Sequence, residues 1–266
     1  MSGIKEFKRL NTRKASVVHV GGFRPTGDPF ASHFGLRPLG AEGEDRPTMD
    51  GKPLPFVCQL NLTAAPAVPA LLQDIALITF FVDPEFGNLT KENGVDWCLR
   101  GYPSLSGLVA MTPPADAAKL NRGFECRWEA LDDHPNYDDP ERVVPDGFDD
   151  LEVELENLAR TKVGGYSSSI QSEPWWGYEE HPGGPAYCLQ INSEGRVGLA
   201  WGAGGTVYLA RGTAEGCRKQ WFLDWQCCWS STASGVTQPQ WGGISRKQSI
   251  RPTLCFRARS CITRLI

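Results

Sequence analysis

A six-residue pattern occurs twice in this chain and limits the folds that the chain can adopt. Residues 56–61 read Phe-Val-Cys-Gln-Leu-Asn and residues 187–192 read Tyr-Cys-Leu-Gln-Ile-Asn, an offset of 131 residues. Three further features recur around both copies in the same order. A Phe-Gly or Gly-Gly segment precedes each copy, at 34–38 and at 164–166. An aromatic run and then a Trp-containing run follow each copy, at 79–82 and 96–100 for the first and at 206–209 and 220–224 for the second. Ordered self-similarity of this kind indicates a repeated structural unit. We therefore predict two repeats, about 34–100 and 164–224, with Gln59 equivalent to Gln190.

Each repeat has the composition of β-structure. Its apolar runs are short, aromatic and β-branched, and they are bounded by Gly, Pro and Asn, which is typical of strands separated by turns. One helix is expected at 148–158, where Phe148, Leu151, Leu155 and Leu158 share a helical face, with acidic residues before it and Gly164 after it. The predicted fold is α+β, mostly antiparallel β, internally duplicated, with two similar halves packed as one globular unit.

The charges are distributed unevenly along the chain. The formal net charge is −4, but six of the 27 Lys and Arg residues and no Asp or Glu lie after residue 229. Residues 1–229 then hold 21 basic against 31 acidic residues, a formal charge of −10. An acidic body argues against nucleic-acid binding, because affinity for phosphates comes from clustered Lys and Arg. We predict a single domain at 1–229, followed by a basic C-terminal tail, 230–266, that is not required for folding.

Targeting and redox features favour the cytoplasm. The amino terminus has no secretory signal pattern, and the longest apolar run, 75–82, is too short to span a bilayer. The nine cysteines are scattered without the spacing of a disulfide framework, so free thiols in a reducing compartment are expected. We predict a cytoplasmic protein with no membrane partner.

Motifs for metal, nucleotide or nucleophile chemistry are missing from the sequence. There is no Cys-x-x-Cys pair, His-Glu-x-x-His run or Gly-x-Ser-x-Gly motif. The glycine run 202–205 precedes a strand, whereas a phosphate-binding loop opens a helix. The acidic segment 132–139 lacks the ligand spacing of a calcium loop and is interpreted as a solvated loop. No catalytic residue, metal or cofactor is predicted.

Four amide side chains stand out because they lie inside apolar strands: Gln59, Asn61, Gln190 and Asn192. A buried polar group that lacks a hydrogen-bond partner costs about 1–3 kcal/mol, so these amides need partners. One interpretation is structural, with each amide holding a nearby loop. The other is that the amides line a groove between the halves and contact a ligand.

Aromatic residues cluster in the sequence around the glycine-rich entry to the second repeat. Together with two amide side chains they form a candidate site for a protein or peptide partner, in a groove between the halves: Tyr166, Gln171, Trp175, Trp176, Gln190 and Trp201. Rigid aromatics with a few polar groups are what an interface hot spot requires. The alternative is that the tryptophans close the core and Gln190 ties down a loop.

The order of these features resembles the YwqG-like family of uncharacterised bacterial proteins, a domain of unknown function. The residues that carry the likeness include Gly164-Gly165-Tyr166, Gln171, Leu189-Gln190-Ile191-Asn192, Trp201-Gly202 and the closing strand through Cys228, with Phe34-Gly35, Pro38 and Gln59-Leu60-Asn61 in the first half. The likeness covers about residues 30–229, and it implies a fold and a compartment rather than a reaction. The chain departs from the family pattern at Leu36, Ser167 and Ala203.

Two classes of function stay open at this point. The first is a non-enzymatic module that binds an unknown protein or peptide, of the toxin-neutralising or scaffold type. The second is an enzyme whose site is assembled from loops without a linear motif, for which His33, His181 and Asp224 are the available titratable groups.

Overall fold

The computed structural model describes residues 2–83, 89, 92–112, 121–150, 153 and 155–227. The predicted tail, 230–266, lies outside these residues. The described part contains one α-helix, α1 (Ser2–Leu10), and three 3₁₀ turns, Leu62–Ala64, Ala70–Leu72 and Trp175–Gly177. Its strands are β1 (Arg13–Val20), β2 (His33–Phe34), β3 (Leu39–Ala41), β4 (Thr48–Met49), β5 (Lys52–Pro53), β6 (Phe56–Asn61), β7 (Leu77–Val82), β8 (Trp97–Tyr102), β9 (Leu108–Ala110), β10 (Phe124–Asp133), β11 (Lys162–Gly164), β12 (Pro185–Asn192), β13 (Thr206–Gly212) and β14 (Trp221–Gln226).

Ten of the strands form one antiparallel sheet in the order β14-β13-β12-β11-β1-β10-β2-β6-β7-β8. The long pair β1 and β10 occupies its middle, with Arg13 opposite Asp133 and Val20 opposite Cys126. An isolated bridge joins Glu92, just before edge strand β8, to Phe222 of edge strand β14. The sheet is therefore a nearly closed barrel, and the prediction of mostly antiparallel strands is confirmed.

The main core fills the barrel. Every residue of β6, β7 and β13 is buried, which explains why their sequences are nearly continuous apolar runs instead of alternating ones. Phe80 of β7 packs against both Trp97 and Trp201, with 6.4 Å between ring centroids in each pair. One core thus joins the strands of 34–100 to the strands of 164–224. Separating these two parts would expose the core side chains of each to water.

The predicted helix at 148–158 is wrong. The described residues of this stretch contain no helix, and Leu151 lies outside them. The backbone N–H of Leu158 donates to the Asp133 carboxylate at 2.8 Å rather than to a carbonyl one turn back. A tertiary hydrogen bond has replaced the helical one.

The apolar side chains that suggested this helix are used at two different places. Phe148 stacks on Phe7 of α1, with ring centroids 5.0 Å apart, whereas Leu158 packs with Ala15 and Val17 of β1. Two separate anchors can reproduce helical spacing by coincidence. No described helix is long and apolar enough to cross a membrane.

Candidate functional site

The two buried glutamines hold loops by their side-chain amides. Gln190 Oε1 accepts from the Ser168 backbone N–H at 3.0 Å, and its Nε2 donates to the Arg160 carbonyl at 3.0 Å. Gln59 Oε1 accepts from the Leu39 N–H at 3.0 Å, and its Nε2 donates to the carbonyls of Pro29 and Ala31. Both side chains are completely buried. The geometry favours the structural interpretation of these amides over contact with a ligand.

The asparagines two residues further on extend the same pattern. Asn61 Nδ2 donates to the Phe30 carbonyl at 2.9 Å, and its Oδ1 accepts from the Thr63 N–H at 3.0 Å. Asn192 Oδ1 accepts from Gln190 Nε2 at 2.8 Å, and its N–H donates to Thr161 Oγ1. The Asn61 side chain therefore also holds backbone in place, whereas the Asn192 side chain supports Gln190.

A cleft of about 570 Å³ lies beside the second set of strands, within the usual size range of ligand pockets. One wall is the segment 136–141 between β10 and β11, the opposite wall is 166–177, and the remaining lining comes from Arg13 and 185–187. Of the six predicted site residues, the cleft brings together Tyr166, Gln171 and Trp176. We call it the acidic cleft, after its four carboxylates, Asp138, Asp139, Glu141 and Glu173.

A buried ion pair positions Tyr166. Lys162 Nζ lies 2.6 Å from Asp133 Oδ2, and both side chains are completely buried. Asp133 Oδ2 also accepts from the Tyr166 N–H at 2.8 Å. Gly165, directly before Tyr166, has φ +70°, and a Cβ there would lie 2.1 Å from Asp133 Oδ2. Only glycine therefore fits at this position. Burial lowers the pKa of Lys162, and the neighbouring Asp133 acts in the opposite direction.

Gln226, at the end of β14, holds the other wall. Its Oε1 accepts from the backbone N–H groups of Ile170 and Gln171 at 2.9 and 3.1 Å, and its Nε2 donates to the Ser172 carbonyl at 2.9 Å. The Gln171 side chain reaches back to the Cys227 carbonyl at 2.7 Å. Gln226 is not among the residues predicted from the sequence, although a glutamine in a closing apolar strand has the same signature as Gln59 and Gln190.

The adjacent tryptophans have different environments. Trp175 is 4% exposed, packs with Ala210 and Phe222, and donates its Nε1–H to the Leu223 carbonyl at 2.8 Å. Trp176 is half-buried, meets Trp175 edge-on at 5.6 Å between centroids, and lines the cleft. Trp175 therefore supports the position of Trp176 from the core side.

The other predicted site residues lie elsewhere. Trp201 is completely buried against Phe80. Gln190 reaches the cleft only through Tyr187, whose hydroxyl is 3.1 Å from Gln190 Oε1. The acidic cleft does not coincide with the predicted groove between the halves, because none of the described residues that line it comes from 34–100. The linker 136–141 supplies the facing wall instead.

The electrostatics of the acidic cleft are dominated by carboxylates. Arg13 is the one cationic side chain among its lining residues, facing four carboxylates. Arg13 forms an ion pair with Glu141, and its guanidinium carbon lies 4.1 Å from the centroid of the Tyr166 ring. Burial raises the pKa of Asp139, and the nearby Glu141 and Glu173 raise it further. The cleft retains an excess of negative charge that its own residues do not neutralise.

Residues 32–227 match a protein family described as Domain of unknown function (DUF1963). The chain belongs to this family. The match covers nearly the same span as the resemblance in the sequence, about 30–229. No curated protein matches the chain. The DUF1963 domain contains all residues of the acidic cleft except Arg13.

The titratable groups considered for an enzyme are spread over the DUF1963 domain. His33 lies buried in β2 beside Phe56, with 5.5 Å between the ring centroids. His181 packs against Phe222 at 4.8 Å, and its Nδ1 accepts from the Gly183 N–H at 3.0 Å. Asp224 Oδ2 accepts from Gln226 Nε2 at 3.0 Å. None of the three lines the acidic cleft.

Most of the described cysteines have the properties of core residues. The six described cysteines are free, and Cys58, Cys98, Cys126 and Cys188 are buried. Burial raises the pKa of Cys126 and of Cys188 to about 12, which keeps these thiols protonated and poorly nucleophilic. Within the described ranges, no group of three or more His, Cys, Asp or Glu side chains is arranged to hold a metal ion.

His33 is expected to make the stability of the domain depend on pH. Burial lowers its pKa from 6.5 to about 4, so only the unfolded chain takes up its proton between these values. The stability that comes from a neutral His33 is fully present above pH 6.5 and is lost as the pH falls toward 4. The total loss in the free energy of unfolding is about 3 kcal/mol. Urea unfolding of the native chain and of His33→Gln at pH 7 and pH 4.5 measures it. The native chain should lose more stability between the two pH values, and equal losses would contradict this assignment.

Proposed function

We propose that this protein is a non-enzymatic binding module that holds a peptide, or an exposed loop of a protein partner, in the acidic cleft. The observation that carries the proposal is the convergence of Tyr166, Gln171 and Trp176 on one concave surface. All three come from the segment 166–177, which Asp133 and Gln226 hold by hydrogen bonds to its backbone.

The construction of the cleft supports a binding role. Aromatic anchors contribute most to affinity when their positions are set before the partner arrives, because little conformational entropy is then lost on binding. Trp176 is such an anchor, because it is half-buried and backed by Trp175. Tyr166 is only 3% exposed and lies under Arg13, so it shapes the wall of the cleft and is held there through its backbone by a buried carboxylate. The carboxylates supply polar contacts that would select among partners. A partner neutralised or scaffolded through this surface fits that arrangement.

We also propose that the domain arose by internal duplication. Strands β2-β6-β7-β8 and β11-β12-β13-β14 occupy opposite ends of the sheet in mirrored order. The register shifts between Phe56 and Cys58 in β6 and between Tyr187 and Leu189 in β12, so both irregularities precede the glutamine by the same distance. Each glutamine also donates to a carbonyl 30 residues upstream. These shared details support an equivalence of 34–100 and 164–224.

We also propose a cytoplasmic location and a closer relationship to YwqG-like proteins. Buried free thiols at Cys58, Cys126 and Cys188 support a reducing compartment such as the cytoplasm. The order of glycine, glutamine and tryptophan features that suggested a YwqG-like, bacterial protein supports that narrower assignment within the family. The basic tail, 230–266, lies beyond the matched residues and is proposed to be dispensable for folding.

Random-sequence peptide display tests the binding function. The full chain is used to select peptides, and Trp176→Ala is used to discard those that bind elsewhere. We expect a set of peptides that bind the native chain at least tenfold more tightly than Trp176→Ala, since loss of a hot-spot aromatic costs 2 kcal/mol or more, about thirtyfold. Phe23→Ala, which removes a half-buried aromatic that does not line the acidic cleft, serves as the matched control. If no peptide depends on Trp176, the acidic cleft is not a peptide site.

A further inference from the structure

We propose that the segment bound in the acidic cleft is basic and places Arg or Lys side chains on both sides of Trp176. This inference rests on the proposed function and adds the chemical class of the partner. It is drawn from the shape of the cleft, its aromatic walls, the contact already made there by Arg13, and the neighbouring surface.

The charge inside the cleft selects against neutral and acidic partners. A partner that covers Asp138, Asp139 and Glu173 removes water from their carboxylates, and desolvation of a charge is costly unless an opposite charge replaces the water. Arg13 already forms an ion pair with Glu141. A bound segment with its own cations supplies the missing partners, whereas an apolar segment does not.

Arg13 shows how a guanidinium fits in this cleft. Its charged group lies over the face of Tyr166 and beside the Glu141 carboxylate, which combines a cation–π contact with an ion pair. About half of the Arg13 side chain is exposed. The Arg13–Glu141 pair therefore forms one edge of the cleft and leaves the rest of the cleft open. Trp176 and Glu173 also line the cleft, so a second aromatic ring and a further carboxylate are available to a cation there.

Both burial and the neighbouring carboxylates of the cleft disfavour the charge of Asp139. Burial raises its pKa most, and the charges of Glu141 and Glu173 add to the rise, while the Glu141 backbone N–H and the Arg13 charge lower it by less than this in total. A bound Arg or Lys side chain would lower this pKa, so binding should release protons at a pH where Asp139 is partly protonated. A neutral peptide would not produce that release.

The surface beyond Trp176 continues the same chemistry. A second cleft of about 660 Å³ shares Trp176, Gly177 and Pro185 with the first. Its lining includes Glu179, Glu180 and the exposed ring of Tyr178. A segment that crosses Trp176 therefore meets carboxylates on either side, which favours a chain with at least two cationic residues over a single cation.

An arginine-glycine peptide provides the direct test. The probe is an acetylated, amidated octapeptide of alternating arginine and glycine, and its control has citrulline in place of each arginine, which keeps the shape and removes the charge. Calorimetry on the full chain should show at least tenfold tighter binding of the arginine peptide and weakening as salt is raised from 50 to 300 mM, because salt screens exposed charges. Equal affinities for both peptides would overturn the proposal.

Two charge variants locate the effect. Asp139→Asn with Glu173→Gln should weaken arginine-peptide binding at least tenfold. Glu42→Gln with Asp45→Asn removes the same charge from exposed positions in the first half. This pair should change the affinity for the arginine peptide less than twofold. If both pairs weaken binding equally, the peptide senses the overall charge of the protein and the proposal is wrong.

The display selection separates this inference from the binding function on which it rests. Peptides that depend on Trp176 and are enriched in Arg and Lys support both. Peptides that depend on Trp176 but are neutral or acidic leave the binding function standing and overturn the basic partner. A selection without any peptide that depends on Trp176 removes both.

Discussion

Replacing Asp133 with alanine is expected to destabilise the fold by about 3–5 kcal/mol, the usual cost of leaving one member of a buried ion pair alone. The Asp133 carboxylate is the partner of Lys162 Nζ and also accepts from the backbone N–H groups of Leu158 and Tyr166. Without it, an ammonium group and two N–H donors remain in a region closed to water. The free energy of unfolding in urea measures the loss.

The neighbouring residue gives a matched control for Asp133. Asp132 pairs with Lys14 at 2.7 Å on the surface, where both side chains are more than half exposed, so Asp132→Ala should leave the unfolding midpoint nearly unchanged. Lys162→Met combined with Asp133→Ala should recover part of the loss, since the unpaired charge is then gone. Equal effects of Asp132→Ala and Asp133→Ala would show that the buried pair does not hold this part of the barrel.

Trp175→Ala is expected to cost about 3–5 kcal/mol, as other truncations of buried aromatics do. Its ring is almost completely buried among Ala210, Phe222 and Trp176, and its indole N–H donates to the Leu223 carbonyl. Trp176→Ala should cost about 1 kcal/mol, the order of one edge-on aromatic contact, because one side of its ring faces the cleft. Thermal unfolding of the two variants under one set of conditions provides the comparison.

The opposite ranking of the two tryptophan variants would contradict the division of roles between them. A large loss for Trp176→Ala would mean that this ring is a core element, and reduced peptide binding by that variant could then be explained by unfolding. A small loss for Trp175→Ala would mean that the wall of the cleft does not depend on the core behind it.

The antiparallel β-fold could be predicted from the sequence because its local signals agree with the tertiary structure. In β6 and β12, apolar residues surround one glutamine, and that glutamine finds backbone partners in both strands. A polar residue in such a strand is informative, since its burial demands a partner. The helix predicted at 148–158 failed for the opposite reason, because Leu158 gives its N–H to Asp133, a residue 25 positions away, and no local pattern reports that contact.

The candidate site could be predicted only in part. Tyr166, Gln171 and Trp176 lie close together in sequence and in space, so local reasoning found them. The facing wall, 136–141, comes from a linker whose acidic residues have the composition of a solvated loop. It reaches the cleft because β10 and β11 both pair with β1, which brings the linker back over the β11–β12 side. Strand order of this kind is not written in any single segment.

Hydrogen–deuterium exchange of the full chain, with and without a peptide that depends on Trp176, measures where the partner binds. Binding in the acidic cleft should slow exchange in 138–141 and 166–177, while strand β6 and edge strand β8 keep their rates. The same peptide mixed with Trp176→Ala should slow neither segment. Slower exchange confined to β8, or to residues that do not line the acidic cleft, would contradict the proposed site.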